Sequence, residues 1–434
     1  MVVMIAEGVS AFSVPSGAGM TGRTKGLLSR ASRPTGRRMA TCMKAMEYVK
    51  LGSSDLKVSR CCLGTMTWGQ QNTMDEGVEQ LNVAFDEFGV NFIDTAEMYP
   101  IPVKAETQGD TDRTIAKWLK TKKREDVVLA TKVAGYSDRI TWLPGRDGKG
   151  SRVTRKEILT SVDESLKRLN TDYIDLLQIH WPDRHMGNLF GAPGTYDISK
   201  VYESVSFEEQ LRAFDELIRQ GKVRYMGVSN ESPFGVMNFH FLSKQLNLPQ
   251  VVSIQNSYSL LNRVDFETDL DEVCAPNNCN VGLLAYSPLA GGILSGKYTD
   301  KADPEESKKW RLNLFEGYMA RFMQSSAKKA ADDYAALAQK FGMSPTQLAL
   351  AFTNSRPFVA STIIGATTLK QLRENIGAFS IEWNEDLEKE VDKIFRVHKD
   401  PAKNPFQDPQ SAVGQPVWHP RVPVEEVKGV AVKK

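Results

Sequence analysis

Residues 154–180 read TRKEILTSVDESLKRLNTDYIDLLQIH. Ile158, Val162, Leu166 and Leu169 recur at helical spacing and share one face, which predicts a helix over residues 155–169. Thr154, followed three residues on by Glu157, gives that helix a capping-box start, in which each side chain satisfies a backbone N–H left open by the first turn. The apolar run 173–180 that follows reads as a strand. A capped amphipathic helix feeding directly into a strand is the repeating step of an alternating α/β chain.

Working outward, the same alternation holds on both sides. Strand-like runs lie at 91–94, 127–132, 223–229, 251–255, 281–287 and 359–365, with a weaker one at 63–65. Helical patterns separate or follow them at 74–88, 112–121, 206–220, 234–246, 266–274, 327–341 and 369–378. Strict alternation implies a parallel sheet. Eight strands, each followed by a helix, fit a closed (β/α)8 TIM barrel better than an open doubly wound sheet. Two short strands around Gly52-Ser53 read as a hairpin, expected to cap the barrel's N-terminal end. Three connections are long, at 134–152, 182–205 and 289–325. Each follows the C-terminal end of a strand, where barrel enzymes assemble their sites.

Of the 434 residues 41% are hydrophobic and 25% charged, which excludes a chain disordered throughout. No apolar run is long enough for a spanning helix. The net charge of +2 is too small to suggest nucleic-acid binding, but it is unevenly placed. Residues 1–46 hold seven Lys and Arg against the single acid Glu7, so residues 47–434 carry a net −4. This basic, acid-poor leader, rich in Ser, Thr and Gly, reads as an organelle transit peptide. Chloroplast is favoured, with mitochondrion, or cytoplasm for an uncleaved tail, as alternatives. The organisation expected is a leader over 1–45, a barrel over 46–398 and a Pro-rich tail over 399–434 that includes Pro401, Pro405 and Pro409. The five cysteines are too few for a disulfide scaffold and read as inert thiols. The five histidines show no metal-ligand spacing, so no metal is expected.

Polar residues at the strand ends would face one mouth. They are Asp94 (with Tyr99 five residues on), Lys132, His180, Ser229-Asn230, Gln255-Asn256 and Tyr286-Ser287. A phenol is a weak acid, with a reference pKa of about 10, and a neighbouring ammonium favours its phenolate. Lys132 could supply that charge beside Tyr99, Asp94 could hold Lys132, and His180 could orient an incoming carbonyl. Such a set can deliver a proton to an oxygen gaining negative charge, as carbonyl reduction by hydride requires.

Seven segments then carry a resemblance. They are NFIDTAEMY (91–99), LATKV (129–133), DYIDLLQIHWPD (172–183), VRYMGVSN (223–230), VSIQNSYSLLNR (252–263), LLAYSPLAGGILSGKY (283–298) and STIIGATTLKQLRENI (361–376). In this order they resemble the aldo-keto reductase superfamily, and look most like its bacterial Tas-like branch, with the Kv-channel β-subunit-like reductases as relatives. The resemblance covers about residues 47–397. It implies a barrel that binds NADPH and a catalytic tetrad of Asp94, Tyr99, Lys132 and His180, with Tyr99 the general acid. It also implies that Ser229, Asn230 and Gln255 hold the nicotinamide carboxamide and that Tyr286 stacks on the ring. Ser287, Leu289, Gly291 and Lys297 match the segment over the pyrophosphate. Gly365, Thr367, Gln371, Glu374 and Asn375 match the adenosine-binding stretch.

Arg311 is the candidate for the 2′-phosphate, with Arg321 and Arg373 as alternatives. Trp68 and Trp181, with Trp142 in the loop 134–152, are expected to wall a pocket for a small carbonyl substrate. Arg184 and His185 could meet an acidic one, but read better as solvated loop residues. The expected activity is NADPH-dependent reduction of aldehydes or ketones to alcohols. The alternative is a nucleotide-sensing regulatory subunit of the channel β-subunit type, with slow reductase chemistry. Oligomeric state is not readable from the sequence.

Overall fold

The computed structural model describes residues 45–403 apart from 147, 299–302, 316 and 318. The leader up to residue 44 and the tail from 404 lie outside the described residues. The chain starts with strands β1 (Tyr48–Lys50) and β2 (Lys57–Ser59), an antiparallel hairpin in which Tyr48 pairs with Ser59. Leu51, Leu56 and Val58 are buried in one cluster with Val252 and Ala360, the second residues of two barrel strands, and with Leu284 in the middle of a third. The hairpin therefore closes the N-terminal end of the barrel with apolar side chains.

The barrel strands are β3 (Cys61–Gly64), β4 (Phe92–Asp94), β5 (Val128–Val133), β6 (Ile174–Ile179), β7 (Val223–Ser229), β8 (Val251–Ser257), β9 (Gly282–Tyr286) and β10 (Val359–Ile364). They pair in parallel in the closed order β10-β3-β4-β5-β6-β7-β8-β9. The fold is the (β/α)8 barrel expected from the alternation. The register sets levels inside it: Gly64, Asp94 and Ala130 lie across from one another, as do Lys132, Gln178 and Gly227, and Ser229, Gln255 and Leu284.

The helices are α1 (Met74–Asn82), α2 (Asp110–Leu119), α3 (Arg155–Leu169), α4 (Phe207–Arg219), α5 (Pro233–Leu246), α6 (Val264–Glu267), α7 (Leu270–Cys274), α8 (Pro304–Lys308), α9 (Arg311–Leu314), α10 (Ser325–Lys340), α11 (Pro345–Ser355), α12 (Leu369–Gly377) and α13 (Glu385–Val397). Helix α3 has the bounds and the reciprocal Thr154–Glu157 cap that its sequence predicts. Two differences stand out. The single helix expected at 266–274 is broken into α6 and α7, and α11 and α13 were not expected. Helix α11 is buried at Leu348–Thr353, six consecutive residues, so it has no polar face to reveal a helical period. Helix α13 buries only Leu387 and Val391 and is tied back by Asp392 to Arg263 at 3.2 Å, a contact 129 residues distant in sequence. The thiols of Cys61, Cys62, Cys274 and Cys279 are free and buried, and burial pushes that of Cys274 up to about 12. No helix among the described residues is long and apolar enough to cross a membrane.

Candidate active site

Asp94 ends β4, Lys132 lies one residue before the end of β5, and His180 follows β6. The parallel register brings all three to the C-terminal mouth. Lys132 is fully buried, and its Nζ donates to Asp94 Oδ2 at 2.6 Å and to the Thr95 carbonyl at 2.7 Å. A buried ammonium needs both a counter-charge and hydrogen-bond acceptors, and these two atoms supply them. Lys132 Nζ lies 5.0 Å from the centre of the Tyr99 ring, and the rings of Tyr99 and His180 meet edge to face at 5.7 Å. The four residues singled out at the strand ends are thus one cluster.

The segment carrying Tyr99 is held from beneath. Glu97 Oε1 accepts from the Ala134 N–H at 2.7 Å and from Arg146 Nη2 at 2.9 Å, and both side chains are buried. Arg146 belongs to the loop 134–152, so one ion pair anchors this loop to the Tyr99 segment. Arg152 grips Asp183 through two nitrogens, and Asp183 also accepts from the N–H groups of Val153 and Val205. Asp183 therefore ties the loop 182–205 to the start of α3. Neither Glu97 nor Arg146 was singled out from sequence. A Glu two residues before Tyr99 and an Arg in a long loop give no signal until the chain folds.

His180 is buried and its Nδ1 has no hydrogen-bond partner. Burial, and next the Lys132 charge, hold its pKa well below 6.5, so the imidazole is neutral. The unfolded chain then takes up a proton near pH 6.5 while the folded chain does not, and stability is lost as pH falls below that value. His180→Gln removes this dependence. The unfolding free energies of wild type and variant, from urea titrations at pH 7, 6 and 5, are expected to converge toward the acid side by up to about 1.4 kcal/mol per pH unit. A constant gap would mean that the imidazole binds its proton equally in the folded and the unfolded chain.

Ser229, Asn230, Gln255 and Tyr286 form a second connected group. Tyr286 Oη donates to Asn230 Oδ1 at 2.7 Å, Asn230 Nδ2 donates to the His180 carbonyl at 2.9 Å, and Ser229 Oγ donates to the Gln255 carbonyl at 2.8 Å. Gln255 Nε2 donates to Asp94 Oδ1 at 2.8 Å, which joins the two groups. Gln178 enters the same network from β6, with Nε2 3.3 Å from Asp94 Oδ1. It escaped notice because it sits inside a strand rather than at its end.

After β9 the backbone turns through left-handed conformations at Ser287, Ala290, Gly291 and Gly292. The last three are consecutive, and the N–H groups of Ala290 and Gly292 donate to the Ser287 and Leu289 carbonyls at 2.8 Å, which closes the turn on itself. At Gly292 φ is 106°, which favours glycine, and a Cβ there would lie 3.8 Å from Lys297 Nζ. A Cβ at Gly365 would lie 3.9 Å from Arg311 Nη2. Lys297 and Arg311 therefore flank this turn, and among the described residues neither pairs with a carboxylate. Burial, and next the Arg311 charge, lower the Lys297 pKa. Leu289 begins the turn and packs into the core. Gln371 Oε1 accepts from the Thr367 N–H at 3.0 Å, and Asn375 Nδ2 donates to the Gly365 carbonyl at 3.1 Å, so both brace the backbone at 365–367. The Glu374 carboxylate is turned to the Ser344 hydroxyl, the cap of α11. Arg373 is paired with Glu87 on the outer surface and Arg321 donates to the Phe190 carbonyl, so Arg311 is the arginine brought to Gly365.

Trp181 follows His180 at the C-terminal end of β6 and is buried. Its Nε1 donates to the Tyr136 carbonyl at 2.7 Å, its ring stands between His180 and Phe190, and it shares an apolar cluster with Tyr99. Trp68 does not. It is 1% exposed and packs in the core with Leu81, Ile115 and Trp118, so it is a core residue rather than a pocket wall. Met66, two residues earlier, packs against the Tyr99–Trp181 cluster instead. Trp142 is 37% exposed on its loop. Arg184 is taken up by Glu231 and Ser232, and His185 accepts from the Asp197 N–H, so the neighbouring chain already engages both.

The sequence pattern of the aldo/keto reductase family matches residues 60–396, from the start of the barrel to the last helix. The chain is 42% identical over 363 residues to protein tas of Escherichia coli (strain K12), covering 82% of this chain and 100% of that one. It is 42% identical over 287 residues to an aldo-keto reductase of Babesia bovis, covering 64% of this chain and 98% of that one. It is also 33% identical over 362 residues to a protein of Schizosaccharomyces pombe whose name carries "voltage-gated potassium channel subunit beta", covering 81% and 94%. The family match runs through every barrel strand and through the strand ends that build the mouth, and on it and these identities the chain belongs to the aldo/keto reductase family.

Proposed function

We propose that the chain reduces aldehydes or ketones to alcohols with NADPH as the reductant and Tyr99 as the general acid. The observation that carries this reading is the buried Lys132–Asp94 pair set under the Tyr99 ring, with a neutral His180 beside it. Lys297 beside the turn at 290–292 and Arg311 at Gly365 fit a pyrophosphate and a further phosphate, since among the described residues neither cation pairs with a carboxylate. When bound, the reduced nicotinamide supplies hydride.

The chain's residues supply the rest. Tyr99 gives its proton to the carbonyl oxygen as charge develops there. The Lys132 ammonium favours the phenolate left behind, and Asp94 keeps that ammonium in place. Neutral His180 can donate one hydrogen bond to the same oxygen without competing as an acid. Trp181 and the loops 134–152 and 182–205 keep water from the mouth.

The fission-yeast relative's name supports a second reading, a regulatory subunit of the channel β type, for which we propose nucleotide sensing, and turnover separates the two. Fluorescence titration with NADPH and NADH, followed by a carbonyl panel under excess cofactor, is expected to give tight NADPH binding and many turnovers. Binding with a single turnover only would favour the sensor. Arg311→Ala is expected to weaken NADPH binding by about 10-fold or more and to leave NADH within about twofold, the loss of one charge-assisted contact. Equal weakening of both nucleotides would remove Arg311 from the 2′-phosphate. The composition of residues 1–45 supports a plastid import leader.

A further inference from the structure

We propose that Gln178 is a positioning residue that sets the acidity of Tyr99 through Asp94, by holding the carboxylate oxygen that Gln255 also holds. The inference rests on the reading of Tyr99 as the acid. The two oxygens of Asp94 have different partners. Oδ2 takes Lys132 at 2.6 Å, while Oδ1 takes Gln255 Nε2 at 2.8 Å and Gln178 Nε2 at 3.3 Å. A carboxylate only accepts, so both amide nitrogens must face it. The Gln178 oxygen in turn accepts from Gln255 Nε2 at 3.3 Å, which closes a three-membered network.

Gln178 is fully buried and pairs with Lys132 in the sheet register, so it sits inside the barrel below the mouth. The sequence keeps space for it. Its partner on β7 is Gly227, where a Cβ would lie 3.0 Å from Gln178 Cγ and 2.3 Å from Ser253 Oγ. A buried amide costs stability unless it is hydrogen-bonded, and this one spends its bonds on Asp94 and Gln255.

Gln255 is also the residue assigned to the nicotinamide carboxamide. If it turns to the cofactor, Asp94 Oδ1 loses its nearest donor, and Gln178 is the donor that stays. Each amide dipole aimed at Oδ1 offsets part of the carboxylate charge. With fewer donors the negative potential at Tyr99 grows and the phenol holds its proton more tightly. The other charged or titratable groups facing this pair are Lys132 from β5, His180 after β6 and Cys62 from β3, with the Glu97–Arg146 pair beneath the Tyr99 segment and Asp183–Arg152 between the loops. None of them changes when Gln178 is replaced.

The test is an NMR titration of the full chain carrying ¹³Cζ-tyrosine, with the Tyr99→Phe spectrum assigning the resonance. In Gln178→Met the Tyr99 midpoint is expected to rise by about half a pH unit or more. The alkaline limb of the single-turnover reduction rate should move with it, and NADPH affinity should stay within about twofold. In an Asp94→Asn background the same replacement should move nothing. An unmoved midpoint in folded Gln178→Met, or a shift that survives Asp94→Asn, would overturn the proposal. If Met is not tolerated, Gln178→Asn, an amide too short to reach Oδ1, is read in the same way. A chain that binds NADPH yet reduces no carbonyl overturns the proposed reaction, while the titration, which needs no turnover, still decides the role of Gln178.

Discussion

Tyr99→Phe is expected to lower carbonyl turnover by about 10²–10⁴-fold while leaving NADPH affinity within about threefold of wild type. The change removes one oxygen and keeps the ring. That ring is buried among Ala96, Met98, Ala134 and Trp181, so packing is retained and the fold should survive. What disappears is the only phenolic proton held beside Lys132 among the described residues. Neutral His180 cannot replace it, because the burial and the Lys132 charge that keep the imidazole neutral also keep it from carrying a spare proton at neutral pH. Single-turnover rates with prebound NADPH, compared with a direct binding titration, separate the two effects. Turnover within tenfold of wild type would remove Tyr99 as the acid. An equal loss of binding and rate would make it a cofactor contact instead.

The barrel was legible because parallel strands are buried on both faces and leave short apolar runs between amphipathic helices. The strand Val223–Ser229 and the helix Arg155–Leu169 have the very bounds that their sequences suggest. Helix α11 was not legible for the converse reason: buried nearly all round, it has no period to read. The strand-end residues of the site were legible for a topological reason. Once the sheet is parallel, every strand's C-terminal end reaches the same mouth, whatever the sequence distance between them.

Residues whose role depends on a tertiary approach were not legible. Gln178 lies within a strand and gains meaning only from its register with Lys132. Arg311 is distinguished from Arg321 and Arg373 by the path of a long loop, which no local pattern specifies. Trp68 misled through its residue type, since an aromatic after a strand suggests a wall. The turn at 65–72 instead sends that ring into the core and leaves Met66 by the mouth.

Lys132→Met separates stability from chemistry at the centre of the site. Removing the ammonium leaves the Asp94 carboxylate buried with only two amide donors, and loss of one partner of a buried pair costs about 3–5 kcal/mol. The loss should appear as a lower urea midpoint at unchanged slope. Adding Asp94→Asn removes the second charge, and the double variant is expected to recover most of the stability lost by the single one. It should not recover turnover, which should stay at least about 10²-fold below wild type, since Tyr99 then has no ammonium to favour its phenolate. Recovered stability with lost turnover would show that the pair is kept for the proton transfer rather than for the fold. If the double variant is no more stable than Lys132→Met, the cost lies in the shape of the lysine side chain and not in an unpaired charge. If the double variant still turns over at more than a tenth of the wild-type rate, the ammonium has no part in moving the proton.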